Sequence, residues 1–252
     1  MRILIANDDG IASPGLRLLA DAAAHLSSDV WIVAPTRKWT AASHQVSFDR
    51  DVSLVRRGER VYACDGAPAD CVIGALSALF DAAGRPDLVL SGVNDRRNVG
   101  EDAAYSGTMA IAREATFSGV PAIALSRSRR WTDAPEEVAA LGALCNVLWQ
   151  CRGDWARDGA WLAVNLPDRL PARVVGARVA HDKIAAAADV SERSADRVVY
   201  RVRRGRPGSA TPGDENDVVD SGAIALVRHG WRATPALDDA FIEACNGALR
   251  QR

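Results

Sequence analysis

Two adjacent carboxylates, Asp8 and Asp9, follow the apolar segment "RILIA" after a single asparagine, Asn7. This segment predicts a buried strand that ends at the two acids. Adjacent negative charges repel each other, and the edge of a protein core solvates them poorly. Either a divalent cation lies between the two carboxylates, or they form an ordinary Asp-Asp-Gly turn that is open to water. Without a cation, one of the two should hold its proton more tightly than usual.

Two further loops carry oxygen-bearing side chains. The loop "APTRKWTAASH", which follows the predicted strand "DVWIVAP", contains three hydroxyl groups, at Thr36, Thr40 and Ser43. The segment 91–108, which follows the predicted strand "PDLVLSG", contains Asn94 and Asn98. Carboxylate, amide and hydroxyl oxygens favour Mg²⁺, Mn²⁺ or Ca²⁺ over zinc. The two asparagines could equally be turn residues.

A helix is predicted to begin near Ser106-Gly107-Thr108. The first turn of a helix has unpaired backbone N–H groups and the positive end of the helix dipole, which together can bind a phosphate. Ser106 could also be a plain helix cap. A cation beside such an anion site is typical of phosphoryl chemistry.

The first half of the sequence alternates between apolar strands and amphipathic helices. Continuous apolar strands between helices predict a Rossmann-like, mostly parallel sheet that helices cover on both faces. Ligands bind such sheets beyond the carboxyl ends of the strands, so the three polar loops should lie at one edge. The helices are predicted over 14–28, 70–80, 106–117 and 133–150, and the later strands are "VPAIALS" and "WLAVNLP".

The pattern changes after about residue 170, which divides the chain into a catalytic core over 1–170 and a smaller part over 171–252. We expect the two parts to form one structural unit. In the second part, "RVVGARVA" and "DRVVYRVRR" predict an antiparallel ribbon, and 205–217 predicts a polar loop. "GAIALVR" predicts a short strand, and a closing helix is predicted over 237–252.

Composition excludes several classes of function. The net charge of −1 provides no overall attraction to a nucleic acid polymer or an anionic membrane. No apolar run is long enough to span a membrane, and the start of the sequence does not resemble a signal peptide. The five cysteines form no C-x-x-C pair and the four histidines are scattered, which argues against zinc. We therefore expect a cytoplasmic protein with buried thiols.

Six segments within residues 1–126 resemble, in order, the SurE family of metal-dependent nucleotidases. Together they are specific, although no single one decides the matter. Beyond residue 126 the resemblance is thin. The segments are "ILIANDDGIASPG", "VWIVAPTRKWTAAS", "DGAPADCVIGAL", "PDLVLSGVN", "NVGEDAAYSGTMAIAREA" and "GVPAIALS".

The resemblance implies an enzyme that releases phosphate from nucleoside 5′- and 3′-monophosphates, and in some members from short polyphosphate. It implies a Rossmann-like core whose C-terminal part exchanges arms in a homodimer or homotetramer. A divalent cation, Mg²⁺ or Mn²⁺, would be bound by four residues, Asp8, Asp9, Thr40 and Asn94. Asp8 or Asp9 would accept the proton of the attacking water. Phosphate or substrate would contact Asn7, Ser43, Asn98, Ser106, Gly107 and Thr108.

Four positions depart from the family pattern. Thr40 replaces a serine and keeps the hydroxyl, Trp39 replaces a polar residue, and Ala41 replaces a glycine. Arg96 also replaces a glycine, which predicts a reshaped loop if that position needs a positive φ. Trp39 is predicted to stack on the nucleobase, with ordinary packing as the alternative. Arg96 is predicted to bind phosphate, to pair with a nearby acid such as Asp95 or Glu101, or to block the pocket.

Two other functions remain open at this point. Phosphatases of the haloacid dehalogenase class use a strand-end aspartate as a covalent nucleophile, but they normally carry Asp-x-Asp rather than adjacent acids. A protein that binds nucleotide or metal without turnover would also fit the departures at 39–41 and 96. A dinucleotide-dependent dehydrogenase is disfavoured, because the first strand is not followed by G-x-G-x-x-G.

Overall fold

A nine-stranded mixed sheet forms the centre of the computed structural model of this protein. The structure describes residues 1–80, 84–127, 134–181, 187–203, 210–232 and 238. The strands are β1 (Arg2–Ala6), β2 (Asp29–Pro35), β3 (Leu54–Gly58), β4 (Val61–Cys64), β5 (Leu88–Asn94), β6 (Ala122–Arg127), β7 (Ala160–Leu166), β8 (Val174–Gly176), β9 (Ala187–Arg193), β10 (Val198–Arg203) and β11 (Ile224–Gly230). Their order in the large sheet is β3-β4-β2-β1-β5-β6-β7-β11-β8, and β9 and β10 form a separate antiparallel ribbon.

The helices cover both faces of the sheet. They are α1 (Pro14–Ala24), α2 (Pro68–Gly74), α3 (Gly107–Phe117), α4 (Pro135–Gln150), α5 (Arg152–Trp155) and α6 (Glu215–Asp220), with a π-helical turn at Ala75–Leu79 and a 3₁₀ helix at Gly100–Ala104. Strand β1 shows why this fold forms, because its residues alternate between two apolar cores. Ile3 and Ile5 pack into the core that contains α1 and α4, whereas Leu4 packs into the core that contains α2 and α3.

The predicted fold class is confirmed. The strands β4, β2, β1, β5, β6 and β7 are parallel neighbours, and the predicted strands and helices of the first half are all present. The sequence did not reveal the hairpin formed by β3 and β4, because three of the five residues of β3 are arginine or glycine and the strand is mostly exposed. Helix α1 also ends earlier than predicted, at Ala24.

The C-terminal part differs from the prediction in two places. Strand β8 lies within "RVVGARVA", but it pairs in parallel with β11 in the large sheet and not in the ribbon, which is formed by β9 and β10. The segment predicted as a polar loop ends inside helix α6, whose first residue is Glu215. Asp214 caps this helix by accepting a hydrogen bond from the N–H of Asp217 at 2.9 Å. The predicted closing helix lies outside the described residues except for Asp238. The division at residue 170 stays a prediction.

None of the helices in the described part of the chain is both long and apolar enough to cross a membrane.

Candidate active site

Three loops meet at the carboxyl edge of the sheet, as the sequence predicted. Strand β1 lies between β2 and β5, and it is parallel to both, so the loops that follow these strands leave the same edge. Direct contacts join the loops. The ammonium of Lys38, after β2, lies 2.5 Å from Oδ1 of Asp9, after β1, and 2.7 Å from Oδ2 of Asp95, after β5.

Asp8 is a buried carboxylate at this edge, with 7% of its surface exposed. Its Oδ1 accepts a hydrogen bond from the hydroxyl of Thr108 at 2.6 Å, and its backbone carbonyl accepts one from the N–H of Trp39 at 2.7 Å. The pKa of Asp8 is raised to about 6, mainly by burial and to a smaller extent by the charge of Asp9, against the lowering effect of the hydrogen bond from Thr108. One acid of the pair therefore does hold its proton more tightly than usual.

Helix α3 begins directly against Asp8. A Cβ atom at Gly107 would lie 2.6 Å from the Cβ of Asp8 and 2.9 Å from the Cγ of Pro68, so only glycine allows this close approach. Ser106 caps the helix, because its Oγ accepts a hydrogen bond from the N–H of Met109 at 3.2 Å. The predicted helix start at the site is therefore present, but the hydroxyls of Ser106 and Thr108 are engaged within the protein.

The negative charge of Asp9 is compensated by neighbouring groups. Its side chain is 8% exposed, and besides the contact with Lys38 its Oδ2 accepts a hydrogen bond from the N–H of Asp95 at 3.3 Å. Burial alone lowers the pKa of Lys38, but the hydrogen bonds to Asp9 and Asp95 outweigh it, and the pKa is raised. The ammonium is therefore held in its charged form on the two carboxylates.

Asn94 ends strand β5 and is buried at the same edge. Its Nδ2 donates a hydrogen bond to the backbone carbonyl of Arg96 at 2.6 Å, which leaves Oδ1 as the atom that could bind a cation. Arg96 is exposed and its φ is not positive, so the loop does not need a glycine there. Arginine thus has no left-handed backbone to strain it here, and a loop reshaped relative to the family pattern stays a prediction. The two acids considered as its partners contact other groups, Asp95 with Lys38 and Glu101 with His181.

The loop that carries Thr40 takes an unusual path. Thr40 is exposed, and the Arg37 guanidinium lies 4.2 Å from the ring centre of the half-buried Trp39. Ala41 and Ser43 have φ values of 56° and 54°, in the left-handed region. Ser43 is tied to the 3₁₀ helix, because its N–H donates to the carbonyl of Tyr105 at 2.9 Å and its Oγ to that of Ala104 at 2.8 Å. These contacts fix the loop across the edge.

Ala41→Gly is expected to stabilise the protein by about 0.5–1 kcal/mol. Glycine adopts a left-handed backbone without the steric cost of alanine, but it loses more conformational entropy on folding, which offsets part of the gain. The free energy of unfolding in urea tests this. Ala24→Gly is the matched control: this exposed alanine ends helix α1, and the change there should destabilise by about 0.5–1 kcal/mol. A loss of stability in Ala41→Gly would contradict the expectation.

Asn7 and Asn98 lie at the site but their amides are engaged inside the protein. Asn7 Nδ2 donates to Ser13 Oγ at 2.6 Å and to the carbonyl of Gly10 at 3.1 Å, which holds the turn after β1. Asn98 Nδ2 donates to Ser126 Oγ at 2.8 Å. These contacts favour a role in positioning the loops, and the predicted contact with phosphate stays a prediction for both residues.

Sequence reasoning missed two residues that organise the site. Lys38 is the first, and Glu215 in helix α6 is the second. The Glu215 side chain is buried and accepts hydrogen bonds from the N–H of Gly100 at 3.0 Å, the N–H of Ala180 at 3.1 Å and Nδ2 of Asn165 at 3.4 Å. It therefore holds the 3₁₀ helix of the third loop against the C-terminal part. The capping signature around Asp214 could have located helix α6.

A cavity of about 340 Å³ opens beside the carboxylates. Its lining includes Asp9, Ser13, Thr36, Arg37, Lys38 and Asp95. Across the described ranges, no group of three or more His, Cys, Asp and Glu side chains is arranged to hold a metal ion. A cation at this edge would thus depend on two carboxylates together with amide, hydroxyl or water oxygens.

The comparison with protein families decides the identity of the chain. The model of the family described as "Survival protein SurE" matches residues 3–189, which include all three loops of the site. The chain belongs to the SurE family. The resemblance predicted from the first 126 residues is therefore confirmed.

Curated relatives support this assignment. Two proteins named "5′-nucleotidase SurE" are 42% identical over 182 residues, in Azorhizobium caulinodans, and 36% identical over 240 residues, in Paramagnetospirillum magneticum. The first match covers 71% of each chain, and the second covers 90% of this chain and 88% of the relative. The longer match extends the SurE similarity into the C-terminal part.

A solved structure of the SurE family supports the fold. The crystal structure of the SurE protein from Aquifex aeolicus is 26% identical to this chain, with a TM-score of 0.75. The match covers 93% of this chain and 95% of that one. The overall architecture of this chain is therefore that of a SurE fold.

Proposed function

We propose that this SurE chain is a phosphatase that hydrolyses nucleoside 5′-monophosphates to nucleoside and phosphate, with a divalent cation bound at the carboxyl edge of the sheet. The observation that carries the proposal is the buried pair Asp8 and Asp9 at the point where three loops meet. Relatives named 5′-nucleotidase support the choice of substrate. Hydrolysis of 3′-monophosphates and of short polyphosphate extends the same proposal.

The donor set fits a hard divalent cation. Asp8 and Asp9 provide carboxylate oxygens, and Asn94 and Thr40 provide an amide and a hydroxyl oxygen, a combination that Mg²⁺ and Mn²⁺ accept and Ca²⁺ tolerates. The pKa of Asp8 is raised mainly because burial disfavours its charged form, and an added positive charge would offset that cost. When bound, such a cation lowers the pKa of a water and offsets charge on a phosphoryl oxygen.

Residues of the chain accept the proton of the attacking water, bind the phosphate and orient Asp8. Asp8 or Asp9 accepts the proton of the attacking water, because these carboxylates are the basic groups of the edge. The unpaired N–H groups in the first turn of α3, at Gly107 and Thr108, lie next to Asp8 and bind the phosphate oxygens together with the positive end of the helix dipole. Thr108 also fixes the orientation of Asp8 through its hydroxyl.

Trp39 and Arg96 are assigned to the substrate. One face of the Trp39 ring is covered by Arg37, so the nucleobase would stack on the other face. Arg96 is exposed two residues after Asn94, and its guanidinium would bind phosphate oxygens. The protein is further proposed to act in the cytoplasm as a homodimer or homotetramer.

The test is a phosphate-release assay on a panel of nucleoside 5′- and 3′-monophosphates, tripolyphosphate and p-nitrophenyl phosphate, with Mg²⁺ or Mn²⁺ present. We expect release from the 5′-monophosphates. Trp39→Ala should raise KM for the nucleotides by about 5- to 150-fold, the equivalent of about 1–3 kcal/mol of stacking, and leave KM for p-nitrophenyl phosphate unchanged.

Two outcomes would contradict these assignments. Absence of phosphate release from every member of the panel would overturn the phosphatase proposal and favour a protein that binds without turnover. Equal losses on nucleotides and on p-nitrophenyl phosphate would remove Trp39 from the nucleobase site and leave it as a packing residue.

A further inference from the structure

The ammonium of Lys38 contacts Oδ1 of Asp9, a carboxylate oxygen that the proposed cation would need as a ligand. Its Nζ lies 2.5 Å from Asp9 Oδ1 and 2.7 Å from Asp95 Oδ2. The contact with Asp95 is a charge-assisted hydrogen bond, and the contact with Asp9 is an equally short ion pair. The neighbouring cation, Arg37, lies over the ring of Trp39, so the structure directs one positive charge of this loop onto Asp9 and the other away from it.

The two acids that Lys38 contacts differ in burial, and this difference decides which of them gains more stability from the ammonium. The side chain of Asp9 is 8% exposed, whereas that of Asp95 is 50% exposed. A nearly buried carboxylate needs a nearby positive charge more than a half-exposed one, which water already solvates. In the absence of a cation, Lys38 therefore stabilises Asp9 more than it stabilises Asp95.

A divalent cation and an ammonium within a few ångströms of each other repel strongly at a poorly solvated edge. Both cannot keep the same contact with Asp9. Since Lys38 has a second partner in Asp95, it can give up Asp9 and still hold one carboxylate at the rim. When the cation displaces Lys38 from Asp9, Lys38 therefore loses one of its two ion pairs rather than both.

We propose that Lys38 is a built-in competitor for the divalent cation at Asp9. It stabilises the metal-free site and lowers the affinity of the site for the cation. When the cation binds, Lys38 gives up its contact with Asp9 and keeps its contact with Asp95. This inference rests on the cation site of the proposed function, and it makes Lys38 a residue that sets the metal concentration at which the enzyme is loaded.

Removal of the charge should have opposite effects on the two states of the protein. Metal-stripped Lys38→Met should unfold at a lower temperature than wild type, because Asp9 loses its counter-charge. The same variant should bind Mn²⁺ at least about tenfold more tightly by calorimetry, and Mn²⁺ should raise its Tm by more than it raises that of wild type. A residue with only a structural role would lower stability without improving cation binding.

Two matched variants separate the contact from net charge. Lys38→Arg keeps a cation on the acids and should keep weak, wild-type Mn²⁺ binding. Arg37→Met removes the same charge from the same loop without touching Asp9, and it should change the Kd for Mn²⁺ by less than about threefold, as expected for a screened distant charge. Lys38→Gln provides a second neutral variant if Lys38→Met does not fold.

The outcomes distinguish this proposal from the proposed function. If wild type binds Mn²⁺ and the neutral variants bind it equally or more weakly, Lys38 is not a competitor, although the cation site stands. If Arg37→Met tightens binding as much as Lys38→Met, the effect belongs to net charge and the proposal is overturned. If wild type binds no Mn²⁺, or Asp9→Asn binds it as wild type does, the cation site itself is wrong and this proposal falls with it.

Discussion

Asp8→Asn is expected to abolish phosphate release and, in the metal-free protein above pH 6, to stabilise the fold. The folded protein holds the Asp8 proton up to a pH of about 6, whereas the unfolded chain releases it near 3.8. The folded state therefore loses stability as the pH rises between these values, by about 3 kcal/mol in all. Asparagine is the neutral isostere of the protonated acid, and its Oδ1 can still accept the hydrogen bond of Thr108.

Urea unfolding of EDTA-stripped protein at pH 4 and pH 8 measures this effect. At pH 4 the variant and wild type should differ little, and at pH 8 the variant should be more stable by about 2–3 kcal/mol. Asp9→Asn is the contrasting control, because it removes the partner of Lys38 and should destabilise the protein. An Asp8→Asn variant that is less stable than wild type at pH 8 would contradict the account of Asp8 as a strained, functional carboxylate.

Gly107→Ala is expected to lower kcat/KM by about 100-fold, because the new methyl group would lie 2.6 Å from the Cβ of Asp8. Either Asp8 or the start of α3 must move, and both are proposed parts of the site. The crowding should also cost about 1–3 kcal/mol of stability. Steady-state kinetics together with the far-UV circular dichroism of the variant separate a displaced site from an unfolded protein.

Gly153→Ala is the matched control for this change. Gly153 lies in helix α5, away from the site, and a Cβ there would meet nothing within 4 Å. This variant should keep wild-type activity and equal or greater stability. Full activity in Gly107→Ala would mean that the close approach of α3 to Asp8 does not serve the reaction.

The sequence predicted the central fold because buried parallel strands have a strong local signal. The apolar strands β1, β2 and β5 could be recognised one at a time, and the rule that ligands bind at the carboxyl edge brought their loops together without knowledge of any contact. The same rule placed Asp8 and Asp9 beside Asn94. What was local in sequence, or fixed by sheet geometry, was predictable.

The contacts that organise the site are not local, and the sequence could not reveal them. Lys38 reaches a residue 57 positions away, at Asp95, and Glu215 reaches Gly100 across 115 positions. Each depends on how loops fold over the edge rather than on a periodic pattern. Of the two positions where the resemblance expects a glycine, Ala41 has a positive φ and Arg96 does not, and the sequence did not distinguish them.

The C-terminal part shows a different limit. Strand β8 has three residues and is mostly exposed, so its own sequence does not distinguish a place in the ribbon from one at the end of the large sheet. Pairing with β11 places this strand in the large sheet, since Val174 to Gly176 lie in parallel register with β11. Short exposed strands are placed by their partners, which a single sequence does not identify.

The most direct test of the central claim is phosphate release from a nucleoside 5′-monophosphate by the wild-type chain, first stripped with EDTA and then supplied with Mg²⁺ or Mn²⁺. The account predicts negligible release from the stripped enzyme and full recovery with the cation. It also predicts that Asp9→Asn, although folded by circular dichroism, does not recover at the same cation concentration. A stripped wild-type enzyme that keeps its full rate would contradict the assignment of a divalent cation to Asp8 and Asp9.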